Sequence, residues 1–137
     1  MKKLIFLVVL LMSSICSYSQ QTVRRYYCEV KGIEKTISSG LKIIFDFGDK
    51  ESYTAWGDLS SKLKFVDEQG NTIEFNSMVD AANYMVGKGW TFQQAYSSLY
   101  GGSPIIHWIF YKDADSFEHA RSGIITKEEY QRKKAKQ

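Results

Sequence analysis

The chain has 137 residues, 44% hydrophobic and 15% aromatic, with 24% charged residues, one proline and a formal net charge of +3. Those figures suit a single folded domain and exclude a disordered, collagen-like or repeat-built chain. They also argue against a nucleic-acid partner, which would call for a concentrated basic face with interleaved aromatics.

The first nineteen residues read as a secretory signal peptide. Lys2 and Lys3 form a positive start, Leu4 to Met12 an unbroken apolar run, and Ser13 to Ser19 a small, polar exit. An anchor is the competing interpretation. Thirteen residues from Leu4 to Cys16 rise only about 20 Å as a helix, short of the ~30 Å hydrocarbon core. Cleavage is expected between Ser19 and Gln20, with Ser17 and Ser19 as the small residues before the cut. A lipoprotein would instead carry its acyl chains on Cys16, but the bulky Ile15 sits where that processing requires a small residue. Two domain assignments follow: residues 1–19 as leader and residues 20–137 as one α+β domain, without a stable membrane anchor. Losing Lys2 and Lys3 and no acid lowers the formal charge from +3 to +1. Cys16 leaves too, so Cys28 stands alone and no internal disulfide can form.

Arg24 to Val30 alternates, placing Tyr26, Cys28 and Val30 on one face and Tyr27, Glu29 and Lys31 beyond it on the other. Period two with aromatic and β-branched residues predicts a half-buried strand. Leu41 to Phe47 repeats the pattern after a Ser-Ser-Gly turn. Residues 49–62 form a long polar loop carrying Tyr53 and Trp56. Leu63 to Phe75 predicts a hairpin around Glu68-Gln69-Gly70-Asn71. Ser77 is placed to cap a helix, with Asp80 three residues on and Met78, Ala81, Ala82, Met85 and Val86 on one stripe. Trp90 to Leu99 and Ile105 to Lys112 predict two more strands around Gly101-Gly102-Ser103-Pro104. The second is apolar on both faces, as a central strand is. Ser116 to Arg121 suggests a short helix, and Thr126 with Glu129 opens another through a capping box. The expected architecture is α+β: an antiparallel sheet of about five or six strands, one main helix on a face, and short C-terminal helices.

The runs Lys64-Phe65-Val66-Asp67-Glu68, Ser77-Met78-Val79-Asp80-Ala81, Asn83-Tyr84-Met85 and Gly89-Trp90-Thr91-Phe92 resemble small secreted proteins common in Bacteroidetes. The helix–Gly–Trp–strand–strand segment, residues 62–112, also resembles a wider bacterial domain family without assigned chemistry. The resemblance implies fold and secretion, in the periplasm or outside the cell, and transfers no catalytic residue.

Several residues could carry chemistry. Cys28 could be a nucleophile with His107 or His119 as base, but its place between Tyr26 and Val30 on an apolar face argues for structural burial. Asp113, Asp115, Glu118 and His119 form the densest metal-competent group; it lacks the third acid and glycine of a calcium loop, and helix-start acids are expected for the macrodipole. Asp46-Phe47-Gly48 matches the kinase magnesium triplet without any of its companions, and Gly87-Lys88-Gly89 follows a helix rather than opening one. The basic tail from Arg132 to Lys136 reads as a solvated helix end. Tyr53 and Trp56, with Tyr100 beside Gly101, remain as aromatic contact points on loops. The function expected is an exported, non-enzymatic module binding a protein or glycan partner, with no cofactor. The alternative is a small metal-dependent or hydrolytic enzyme using Asp113 to His119.

Overall fold

The computed structural model describes residues 22–34, 41–48 and 64–136. The expected leader and the loop with Tyr53 and Trp56 lie outside them. Strands β1 (Arg24–Glu34), β2 (Leu41–Asp46), β4 (Thr91–Tyr100) and β5 (Ser103–Ala114) form an antiparallel sheet in the order β2-β1-β5-β4. A two-residue strand β3 (Phe65–Val66) pairs with β6 (Ile125–Thr126) in a separate ladder. Helices are α1 (Met78–Gly87), α2 (Phe117–Ala120) and α3 (Lys127–Lys134). Among the described residues, no helix is long and apolar enough to cross a membrane.

The α+β character and the antiparallel sheet agree with the sequence reading, whereas the strands divide differently. Among the described residues four strands share the main sheet, against the five or six expected. The expected Leu63–Phe75 hairpin keeps its turn, with Asp67 accepting from the Gln69 and Asn71 amides. Its arms meet only through a Val66–Thr72 bridge and an Ile73 N–H bond to the Phe65 carbonyl. The remaining backbone groups of Phe65 and Val66 pair instead with residues near the C-terminus.

One sheet face carries the core. Alternation puts Cys28 and Val30 of β1 beside Phe110 of β5, and Met78, Ala81 and Met85 of α1 close over them with Trp90. Phe65 fills the space toward β2, its ring 4.5 Å from Phe45, 5.6 Å from Tyr84 and 6.2 Å from Phe75 between centroids. The pairs are tilted with Phe45, stacked with Tyr84 and edge-on with Phe75, arrangements that aromatic rings favour.

Local chemistry sets the helix ends. The Ser77 hydroxyl accepts from the Asp80 amide at 3.1 Å, and the Asp80 carboxylate accepts from the Asn76 amide at 3.1 Å. At Thr126 the capping box is complete in both directions. The β4–β5 connection is Gly101-Gly102, with φ of +57° and +84°, the left-handed pair that a two-residue hairpin turn requires. It fixes the register Tyr100↔Ser103, Ser98↔Ile105 and Tyr96↔His107.

Candidate functional site

The second sheet face holds a polar cluster spread across all four strands. On β1, Glu29 and Lys31 point away from the core that Cys28 and Val30 enter. The register sets Glu29 beside Asp46 of β2, and Lys31 beside His107 of β5. His107 in turn lies opposite Tyr96 of β4, two residues from Ser98. Strand pairing alone therefore brings six polar side chains together from positions as far apart as 29 and 107.

Their hydrogen bonds form a chain. Ser98 Oγ lies 2.8 Å from His107 Nε2, and His107 Nδ1 lies 2.7 Å from Glu29 Oε1. The Tyr96 hydroxyl donates to the same Oε1 at 2.8 Å. Lys31 Nζ sits 2.9 Å from Glu29 Oε2 and 3.1 Å from Asp46 Oδ2. The Tyr96 ring lies flat on the imidazole, with centroids 4.4 Å apart and planes within 2°. His107 is only 12% exposed and Glu29 21%, while Ser98 faces solvent.

Burial alone would push the Glu29 carboxyl up. The donors Lys31, His107 and Tyr96 outweigh that, and its pKa falls below the ordinary carboxylate value. An ionised Glu29 can only accept, so the proton of the 2.7 Å contact belongs to His107 Nδ1. In the neutral ring, Nε2 is then an acceptor facing the Ser98 hydroxyl. A hydroxyl, an imidazole and a carboxylate in that order form a nucleophile–base–orienter arrangement.

The residues singled out from sequence lie elsewhere. Cys28 is 1% exposed in the core, and burial raises its thiol well above the ordinary pKa. His107 is on the other side of the sheet from it. Asp113 is engaged by Arg25 through two bonds of 2.8 and 2.9 Å, and this fork lowers the carboxyl's pKa. Asp115 meets His119 one turn on, and Glu118 is exposed in the first turn of α2. No three His, Cys, Asp or Glu side chains among the described residues converge as a metal-holding group. The structure thus joins Asp115 with His119 but does not gather the four. Tyr100 stands exposed at the hairpin tip, and Tyr53 and Trp56 fall outside the described residues.

The Glu29–His107–Ser98 chain was hidden by its spacing. Counting outward from Gly101-Gly102 would have paired Tyr96 with His107 and placed Ser98 diagonally beside it. Glu29 has no such local ruler, because its β1–β5 register is set by long-range pairing. No family model matches the chain, and it matches no curated protein and no solved structure.

Proposed function

We propose that the chain is an exported binding module that captures an extended segment of a partner protein along the outer edge of β4. One observation carries this reading. Among the described residues β4 pairs only with β5, leaving its other side open, and all ten of its residues are exposed. The sequence TFQQAYSSLY contains no charge and no proline. Natural edge strands are commonly blunted by lysine, proline or short length, and β4 has none of these; its one irregularity, between Phe92 and Gln94, lies near the start. An open row of amides and carbonyls beside Leu99 (76% exposed) and Tyr100 (66%) suits strand addition, with apolar contacts supplying selectivity.

Export rests on the Met1–Ser19 leader, and the binding surface moves from the 49–62 loop to the β4 edge and its tip, which includes Tyr100. Photo-crosslinkers placed at positions 97 and 100 of the processed chain in its native envelope test the reading. The expected result is a single partner peptide joined to both positions and lost in Leu99→Lys, which sets a cation on the edge. Crosslinks that persist in Leu99→Lys, or that never form, would overturn it. N-terminal sequencing of the processed chain is expected to begin at Gln20.

A further inference from the structure

We propose that Ser98 is an activated nucleophile and that the polar sheet face hydrolyses carboxylic esters through Ser98, His107 and Glu29. The inference goes beyond strand capture: its reacting groups lie on the sheet face, and it shares with that reading only the outward Leu99 amide. Hydroxyl and base are already at hydrogen-bond distance, 2.8 Å, and base and orienter at 2.7 Å. Glu29 is held from three sides, by His107, Tyr96 and Lys31, so its position is over-determined. Tyr96 stacked on the imidazole fixes the ring plane. Held groups at reacting distance are what converts a weak alcohol into a nucleophile.

The register also supplies an oxyanion donor. In a hairpin closed by a two-residue turn, the flanking pair Tyr100↔Ser103 exchanges hydrogen bonds and alternate pairs follow, Ser98↔Ile105 and Tyr96↔His107 among them. The amides between, including that of Leu99, therefore point outward from the edge of β4. Pro104 opposite Leu99 agrees with this phase, since a residue without an N–H fits a pair that exchanges no bonds. The donor next in sequence to Ser98 thus faces the side from which a substrate carbonyl can approach, as preorganised stabilisation of the tetrahedral oxygen requires.

The chemistry balances without a further reactant beyond water. Ser98 Oγ bonds to the ester carbonyl carbon as its proton passes to His107 Nε2. The tetrahedral adduct collapses, the bond to the alkoxy oxygen breaks, and the departing alcohol takes the proton from Nε2. Water then attacks the acyl-serine, giving its proton to Nε2, and collapse returns that proton to Ser98 as the carboxylic acid leaves. Glu29 is a positioning residue: it fixes the Nδ1 tautomer and stabilises the imidazolium without taking the proton.

Treatment of the processed chain with an alkyl fluorophosphonate, followed by peptide mapping, is the direct test. One phosphonyl group on Ser98 is expected, absent in Ser98→Ala. Hydrolysis of 4-nitrophenyl acetate is expected to fall at least about 10-fold in Ser98→Ala and in His107→Gln. Glu29→Gln should lower kcat with KM unchanged, a split that a purely architectural role would not produce. An unlabelled Ser98, a label on another residue, or parent-rate hydrolysis by Ser98→Ala would overturn the proposal. A small ester needs no docked strand, so failure of strand capture and failure of Ser98 labelling are separate results.

Discussion

The phenol of Tyr96 and the imidazole of His107 lie parallel, 4.4 Å apart, while the Tyr96 hydroxyl reaches over to the same Glu29 oxygen that His107 engages. One side chain therefore packs the base and also secures the base's partner. Tyr96→Phe separates the two roles, keeping the stacked ring and deleting the bond to Glu29. The expected loss is about 0.5–1.5 kcal/mol of stability, measured by urea unfolding. The bond to Glu29 also raises the Tyr96 phenol pKa, burial adding to it. Burial raises the Tyr84 phenol as well, so absorbance titration should find both ionising late in the parent and only Tyr96 moving earlier in Glu29→Gln.

Acid should weaken the fold from the carboxylates that are held by partners. The Arg25 hydrogen bonds keep Asp113 below its ordinary 3.8, and donors overcome burial to keep Glu29 below 4.5. Both folded pKa values are depressed, so the stability they contribute is present above the unfolded values and is lost as pH falls through the folded ones. Urea midpoints should hold steady from neutral pH to about 5 and decline below about 4. Asp113→Asn should soften that decline only slightly, since solvent screens the exposed pair.

Cys28 should behave as a core residue. Its thiol is buried between sheet and helix, and burial pushes its pKa well above 9.0. A disulfide reagent such as Ellman's is expected to leave it unmodified in the native protein and to react at once in denaturant. The sign at high pH follows: the unfolded thiol ionises first, so stability falls as pH rises above its unfolded pKa of about 9. Labelling of the native protein at the rate of a free thiol would contradict this placement.

Gly70 ties the 67–71 turn to the last helix. Its φ is +87°, and a Cβ there would lie 2.4 Å from Cε1 of Tyr130, whose hydroxyl donates to the Gln69 carbonyl at 3.0 Å. Gly70→Ala meets both a disfavoured backbone and the Tyr130 ring, which must shift to admit the new Cβ. A loss of about 1–3 kcal/mol is expected, with faster amide exchange in α3. Tyr130→Ala in the same background should recover part of the loss by removing the clash.

What could be read from sequence was what neighbours along the chain decide. Ser77 with Asp80 and Thr126 with Glu129 act through side-chain caps, and Gly101 with Gly102 through positive φ, all within a few residues. Phe65 and Val66 look like half of a local hairpin, yet their ladder lies with Ile125 and Thr126. Spacing groups Asp113 with Asp115, Glu118 and His119, and it cannot show the bonds Asp113 accepts from Arg25, 88 residues earlier. His107 stands out in sequence as a candidate base for Cys28, whereas its partner in the structure is Glu29, 78 residues away. Register between distant strands is a property of the whole core, so no window of sequence contains it.

The pairing of β1 with β5 closes the longest separation in the sheet. β4 and β5 can close on each other through their two-residue turn, and β1 and β2 are sequence neighbours as well. Joining these halves aligns Arg24 with Ala114 and Ile33 with Ile105, contacts between opposite ends of the chain. Such long-range closure carries most of the loop entropy and sets a slow rate. Until residue 114 is available β5 cannot run its full length beside β1, so the four-stranded sheet forms only once both halves are present.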